Sequence, residues 1–444
     1  MRDSTHNPDL RSWVESANDG HTDFPLQNLP LGVFRPAPGA APRVGVAIGD
    51  QLLDLAAADE RGLLPPALRA MAGAARSASL NAVMALGLTA RNALRTALST
   101  MLRHDTTQGA AAQRMAPMLL YAIDQVELLL PVVVGDYTDF YASVHHATNI
   151  GTMLRPDNPL LPNYKWIPIG YHGRASSLVV SGTPVRRPFG QTKAEGESAP
   201  VFAPSARIDY EAEVGFYVGE ANPLGSRVEI QRAATHLFGV CLLNDWSSRD
   251  IQAWEYQPLG PFLSKSFATT VSPWVVTAEA LEPFRTHAWT RPAGDPTALP
   301  YLTSETDQRE GAIDLTVEVL LCSARMRAER VAPARLSQGN ARDLYWTPAQ
   351  LLAHHTSGGC NLQAGDLLGS GTISGPTRES RGCLMELTWR GAEPITLPTG
   401  EVRRFVEDGD EIIMRGRCTT EGATSIGFGE CRGVLLPATE PSSR

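Results

Sequence analysis

The sequence predicts an α+β chain, predominantly β, divided into two domains. Three observations carry that reading. Arg43-Val-Gly-Val-Ala-Ile-Gly-Asp-Gln-Leu-Leu-Asp54 reads as two strands around a Gly-Asp turn. An Ala-, Leu-, Met- and Arg-rich stretch confined to about residues 66–103 reads as helical. Beyond residue 135 the chain becomes a series of short β-type runs punctuated by Gly and Pro, which argues for non-local strand pairing rather than a doubly wound α/β sheet. At 444 residues the chain is long for one core and comfortable for two.

Taken in order, residues 1–22 are rich in Asp, Ser, Asn and His and are expected as a disordered leader. Residues 23–130 then form a small domain. Its hairpin is followed by two expected helices between Pro66 and Arg103, with a break near Gly87. The second domain spans residues 131–437. Its expected strands include Leu178–Ser181, Val214–Val218, Trp274–Val276, Leu315–Leu321, Leu384–Trp389 and Glu411–Met414. Thr347-Pro-Ala-Gln350 is a capping-box pattern with Pro at the first helical position, and Gly358 stops the helix that follows. The polar stretch Glu282 to Gly311 is expected as a surface excursion, and residues 438–444 as a loose tail.

Composition removes several function classes. A net charge of -8 with no basic stripe disfavours nucleic acid as a partner. The six cysteines fall singly, with no C-x-x-C spacing, which suits a reduced, cytoplasmic chain. The polar N-terminus has no secretory apolar core. The longest apolar stretch, Met118 to Val134, is interrupted by Asp124, Gln125 and Glu127, so no membrane span is expected. Neither a phosphate-binding G-x-x-x-x-G-K-[ST], a G-x-S-x-G elbow, H-E-x-x-H nor a dinucleotide fingerprint in βαβ context occurs.

The chemistry-bearing residues cluster in three segments. Asp136 to Asn149 places Asp139, Tyr141 and His146 within eight residues. Asp209-Tyr-Glu-Ala-Glu213 and Asn244-Asp-Trp-Ser-Ser-Arg-Asp250 add further carboxylates. Acids this scattered converge only around a cation, because uncompensated carboxylates in one site repel and take up protons. An all-oxygen ligand set suits a hard ion such as Ca²⁺ or Mg²⁺, leaving a histidine free to act as a base.

Each feature also has a plainer reading. The alternation at Ile208–Phe216 fits an edge strand with a solvated acidic face, and His145 is locally as good a candidate as His146. Arg249, Gln252 and Tyr256 fall on one side of a helical turn, where the plainer alternative is an amphipathic helix with Trp254 facing the core. Gly170-Tyr-His-Gly-Arg174 and Gly371-Thr-Ile-Ser-Gly375 are Gly-flanked turns that let backbone approach a ligand.

These segments occur in one order, with Asp23-Phe-Pro-Leu-Gln-Asn-Leu-Pro-Leu-Gly-Val-Phe34 before them. Trp254-Glu-Tyr-Gln-Pro-Leu-Gly-Pro-Phe262 and Gly427-Phe-Gly-Glu-Cys431 complete the series. Over nearly its whole length the chain therefore resembles the fumarylacetoacetate hydrolase family. The resemblance implies an SH3-like N-terminal barrel, a C-terminal mixed β-roll and a homodimer. It implies metal ligation by Asp139, Glu211, Glu213 and Asp245. A second cation is associated with Asp245, Lys265 and Thr269, with contact through the Lys265 backbone, since a charged ammonium repels an ion. His146 is implied as general base, favoured over His145, with Glu386 orienting it. Tyr141, Arg155, Tyr171, Gln252, Tyr256 and Thr372 are implied in substrate binding, and Arg249, Gln252 and Lys265 in stabilising the leaving group.

The implied reaction is metal-dependent hydrolysis of a C–C bond in a 1,3-diketone acid, giving fumarate and acetoacetate, the last step of tyrosine and phenylalanine breakdown. Two alternatives stand beside it, the first sharing the metal carboxylates and the second the fold. One is an acylpyruvate hydrolase or 2-oxo acid decarboxylase of the same superfamily, against which Tyr256, Gln252 and the N-terminal domain argue. The other is a non-catalytic binding protein on the same fold, against which the joint presence of His146 and Glu386 argues.

Overall fold

The computed structural model describes residues 2–439, so most of the expected C-terminal tail lies outside the described residues. The chain is β-dominant with mixed helices. The hairpin forms as the alternating pattern requires, Arg43–Ile48 pairing antiparallel with Gln51–Asp54. It sits in a five-stranded antiparallel sheet. In spatial order the strands are Leu120–Ala122, Gln51–Asp54, Arg43–Ile48, Leu31–Arg35 and Glu127–Leu129.

Three local expectations are corrected. Residues 2–22 are not a disordered leader: they form short 3₁₀ turns and bury Thr5, His6, Ser12, Val14 and Ala17. Their polar groups find distant partners that composition cannot reveal. His6 Nε2 lies 2.8 Å from the Glu279 carbonyl, the Trp13 indole donates to the Met101 carbonyl at 2.9 Å, and buried Arg95 donates to Thr5 Oγ1 at 2.9 Å. The helical stretch forms three α-helices rather than two: the expected break near Gly87 falls at residues 85–86, and a further one at 75–80 separates Arg69–Ala74 from Asn81–Met84, before the longest helix among the described residues, Gly87–Leu102. Its Leu94, Leu98, Met101 and Leu102 share the buried face. The stretch Glu282 to Gly311 is also more than a surface excursion, since Phe284, Ala288 and Leu302 are buried.

The second domain is built on two sheets. One contains eight strands, and seven of them run in the order Gly170–His172, Tyr137–Phe140, Leu367–Gly369, Ala212–Val218, Leu237–Asp245, Thr269–Val271 and Leu178–Val180. The other has five, centred on Glu411–Cys418 between Leu315–Cys322 and Ile426–Leu436. The larger sheet is covered on both faces. Val214, Phe216, Val240 and Leu242 face the core shared with the second sheet, while Tyr217, Phe238, Cys241 and Leu243 pack into the core of the N-terminal domain. Period-2 alternation thus serves two cores, which explains the near-continuous apolar run Leu237–Leu243.

The capping box at Thr347 forms, with Gln350 N bonded to Thr347 Oγ1 and Thr347 N bonded to Gln350 Oε1, and the helix ends at Thr356. Leu384–Trp389 is not a strand. Leu384–Leu387 is a short helix whose first amides donate to Asp209, Leu384 N to Oδ1 at 2.8 Å and Met385 N to Oδ2 at 3.0 Å. Leu, Met and Glu are good helix formers, and a cap supplied from 175 residues away lets so short a helix start.

Candidate active site

Four carboxylates converge because neighbouring strands deliver them. Asp139 lies on Tyr137–Phe140, Glu213 on Ala212–Val218, and Asp245 ends Leu237–Asp245. Glu211 sits where the chain breaks between Ile208–Asp209 and Ala212–Val218. One carboxylate oxygen from each lies within 4.8 Å of the others. Gly369, on the strand between Asp139 and Gly215, makes room for this: a Cβ there would sit 2.5 Å from Asp139 Oδ1. The edge-strand reading of Asp209, Glu211 and Glu213 is overturned, since all three are buried. Nor do they share one face, because the break redirects Asp209 to the helix at Leu384.

Charge does not balance here. Arg249 pairs with Asp209 Oδ2 at 2.9 Å and with Glu211 Oε1 at 2.8 Å. Lys265 Nζ pairs with Glu211 Oε2 at 2.5 Å and with Asp245 Oδ2 at 2.7 Å. Five buried carboxylates thus face two cations. Burial raises Glu211, but Lys265 and Arg249 outweigh it and hold the group below the usual carboxylate range. Burial and the neighbouring acids push Asp139 and Glu213 well above that range. Asp139 Oδ1 and both oxygens of Glu213 are buried without a hydrogen-bond partner. Orphaned carboxylate oxygens of this kind fit a hard divalent cation, which supplies the missing positive charge.

Lys265 and Thr269, expected beside a second cation, are both committed to Asp245, with Thr269 Oγ1 donating to Oδ1 at 3.0 Å. Tyr171, expected at the substrate, also bridges Asp139 Oδ2 at 2.8 Å and Asp245 Oδ2 at 2.9 Å. Burial and those carboxylates raise its phenol, keeping it a donor.

His146 enters from the helix Val144–Leu154, whose N-cap Ser143 accepts from the His146 amide at 3.2 Å. Its Nδ1 lies 2.6 Å from Glu386 Oε2. Asn149, one turn further along the helix, donates to Glu386 Oε1 at 2.8 Å, and Ser374 Oγ donates to Oε2 at 2.8 Å. Burial raises Glu386, but His146 and these hydrogen bonds outweigh it and lower the group to about 2. An ionised Glu386 requires Nδ1 to carry the proton, which leaves Nε2 as the basic nitrogen. His145 is half-buried, edge-on to Trp289 with ring centroids 5.3 Å apart, and takes no part.

Both groups open on one cavity of about 400 Å³, lined by Asp139, Glu211, His146 and Lys265 among others. All the residues expected at the substrate line it as well: Tyr141, Arg155, Tyr171, Gln252, Tyr256 and Thr372. Arg249 and Gln252 share the helix Arg249–Glu255, where Arg249 Nη1 donates to Gln252 Oε1 at 3.1 Å and so leaves the amide NH₂ to donate elsewhere. Trp254 on that helix is exposed, and the face toward the core is held by Ile251. Thr372 Oγ1 and Arg155 Nε are buried without partners.

Sequence assigns no role to Asn149 or Ser374, and counts Asp209 only as one more carboxylate. The three-residue spacing from His146 to Asn149 is one helical turn and was the available signal for that residue. Asp209 reads locally as one more acid of an alternating strand, and nothing near it announces Arg249 or the helix it caps.

Two family models match the chain: fumarylacetoacetate hydrolase C-terminal over residues 136–435, and fumarylacetoacetase N-terminal over residues 27–131. The chain is 48% identical to the fumarylacetoacetase of Caenorhabditis elegans over 433 residues, covering 97% of this chain and 100% of that one. It is 45% identical to the fumarylacetoacetase of Homo sapiens over 432 residues, with 97% and 100% covered. Among solved structures, a fumarylacetoacetate hydrolase from the psychrophilic Exiguobacterium antarcticum matches with a TM-score of 0.50 at 15% identity. That match covers 92% of this chain and 99% of the other, and is a likeness of fold alone.

Proposed function

The chain belongs to the fumarylacetoacetate hydrolase family, and we infer from its site that it hydrolyses the C–C bond of fumarylacetoacetate to fumarate and acetoacetate, the closing step of tyrosine and phenylalanine breakdown. The observation that carries this reading is the shared cavity: the acidic cluster and the His146–Glu386 pair open on the same 400 Å³ space.

The residues divide the work. Asp139, Glu211, Glu213 and Asp245 would hold the divalent cation, and an oxygen-only set favours Ca²⁺ or Mg²⁺. When bound, that cation supplies Lewis-acid polarisation of a diketone carbonyl. His146 Nε2 takes a proton from water as its oxygen bonds to the carbonyl carbon. Glu386 stabilises the imidazolium, and such general-base help is worth roughly 10²- to 10⁴-fold. As the C–C bond breaks, its electron pair leaves with the acetoacetate carbon as an enolate. Lys265, Arg249 and the free NH₂ of Gln252 face that developing charge, each such donor worth about 3–4 kcal/mol of barrier. The proton on His146 returns to the leaving carbon. Tyr141, Tyr256, Thr372 and Arg155 position the substrate, Arg155 by holding a terminal carboxylate.

Several finer readings accompany this one. The N-terminal sheet, a four-strand meander whose fifth strand returns beside the first, supports an SH3-like barrel, and the stacked sheets of the second domain support a mixed β-roll. Six free cysteines suit a cytoplasmic protein, and no described helix is long and apolar enough to cross a membrane. Exposed Leu259, Phe262 and Leu263 offer apolar surface to a second copy in a homodimer, which light scattering would test.

The decisive assay incubates the protein with fumarylacetoacetate and with acylpyruvates and identifies the products. Fumarate and acetoacetate in equal amounts support the reading. Turnover confined to acylpyruvates would replace it.

A further inference from the structure

Hydrolysis of the proposed substrate fixes how many charged ends the site must hold. Fumarate and acetoacetate carry three carboxylates together, and the reaction creates one of them. The substrate therefore arrives with two, one at each end. A guanidinium suits each, since its planar fork matches a carboxylate. Arg155 can take one. Arg249 and Lys265 are already paired with Asp209, Glu211 and Asp245.

Two further guanidinium groups line the same cavity, Arg207 and Arg390, and both are exposed at its mouth. Among the described residues neither side chain has an ion pair or a hydrogen bond. They belong to one rim. Arg207 lies over the Phe405 ring at 6.0 Å, and next to it Val406 N donates to the Ile208 carbonyl at 2.8 Å. Arg404 Nε donates to the Gly391 carbonyl at 3.0 Å, which ties the Arg390 turn to the same segment. Phe405 also lines the cavity.

The backbone that presents Arg390 is unusual. Trp389, Arg390 and Gly391 are all left-handed, with φ of 47°, 59° and 91°. Such a conformation is unfavourable for a non-glycine residue, and Gly or Asn would adopt it more readily. Hydrogen bonds hold the turn, Arg390 N to the Met385 carbonyl at 2.8 Å and Gly391 N to the Thr388 carbonyl at 3.0 Å, with Arg381 over the Trp389 ring at 5.2 Å. Strain retained at a cavity mouth, on a residue with no structural partner, points to a ligand.

We propose that Arg207 and Arg390 form an anion subsite at the cavity mouth that receives the substrate carboxylate not held by Arg155. The proposal rests on the reading of the substrate given above. It makes these arginines specificity-determining residues that select a diacid over a 1,3-diketone with one charged end.

The test is product inhibition, with fumarate and acetoacetate as separate inhibitors of fumarylacetoacetate turnover. Arg207→Gln, Arg390→Asn and the double variant alter exposed side chains, and Asn tolerates the left-handed turn. The double variant should lower kcat/KM about 10- to 100-fold, the loss expected for charge-assisted hydrogen bonds. It should weaken inhibition by one product about tenfold or more and leave the other within about twofold, as the separate ends require. Arg155→Gln should show the reverse preference, and Arg390→Lys should recover part of the lost inhibition. Unchanged inhibition by both products, or equal weakening of both, overturns the subsite while leaving the reaction standing. Absence of fumarylacetoacetate turnover by the unaltered protein overturns the reaction and the subsite together.

Discussion

At the scale of single residues, the site is a problem of charge. Glu386 is buried yet ionised because His146, Asn149 and Ser374 all bond to it. Glu386→Gln should therefore lower kcat by about 10²- to 10⁴-fold while calorimetric affinity for Ca²⁺ or Mg²⁺ stays within about twofold. The same substitution has a pH signature. The folded group titrates near 2 rather than 4.5, so its contribution is present above about 4.5 and is lost as pH falls toward 2. At neutral pH that contribution is on the order of 3 kcal/mol. In urea unfolding the stability gap between the natural chain and the variant should accordingly close on acidification; a gap constant down to about pH 3 would contradict the ion pair. Glu213 is the opposite case, a buried carboxylate with no partner for either oxygen. Glu213→Gln should weaken divalent-ion binding by about tenfold or more and yet raise the melting temperature of chelator-treated protein, because it removes a carboxyl that can be buried there without metal only by taking up a proton. A lower melting temperature without metal would show that Glu213 is paired in some other way. These outcomes explain how far the site could be read from sequence. Carboxylates in separate segments imply convergence, but which acid keeps its proton depends on where Lys265 and Arg249 point, and only the fold decides that.

At the scale of elements, two short pieces decide the geometry. The turn at Gly371 carries Thr372 to the cavity with φ of 71°, and a Cβ there would lie 2.2 Å from the Phe140 carbonyl oxygen. Gly371→Ala should cost more than about 1 kcal/mol of stability and raise KM, since relief of the clash displaces Thr372; unchanged urea midpoint and KM would show that the turn adapts freely. The other piece is Leu384–Leu387. Its residues are good helix formers, but a run of four holds no helix unaided, and Asp209 accepts from its first two amides. Without that cap Glu386 would not meet His146. The contrast with Thr347–Gln350 is instructive: there both halves of the capping box lie within four residues, so the helix was legible in sequence. Local signals were readable where partner and element are neighbours, and failed where the partner arrives from a distant segment.

At the scale of the whole molecule, the large sheet depends on both domains. Its face bearing Phe238, Leu243, Val271 and Leu367 is covered by the N-terminal core. Baring four such side chains costs on the order of 10 kcal/mol, comparable to the total stability of a folded domain. Residues 131–439 expressed alone should therefore aggregate or lose near-UV circular dichroism, whereas a soluble fragment with a cooperative melt would show that the second domain stands alone. Residues 2–22 take part in the same packing through Thr5 and Arg95, a role hidden behind a polar composition. Composition and order of segments conveyed the β-dominant architecture, but not that one sheet serves two cores. Four buried carboxylates and a histidine on this framework make the chain a metal-dependent C–C hydrolase. The most direct test follows the loss of diketone absorbance with fumarylacetoacetate before EDTA treatment, after it, and after re-addition of Ca²⁺ or Mg²⁺. Activity abolished by chelation and restored by either ion is the predicted result; full turnover by protein shown by elemental analysis to be free of metal would contradict it.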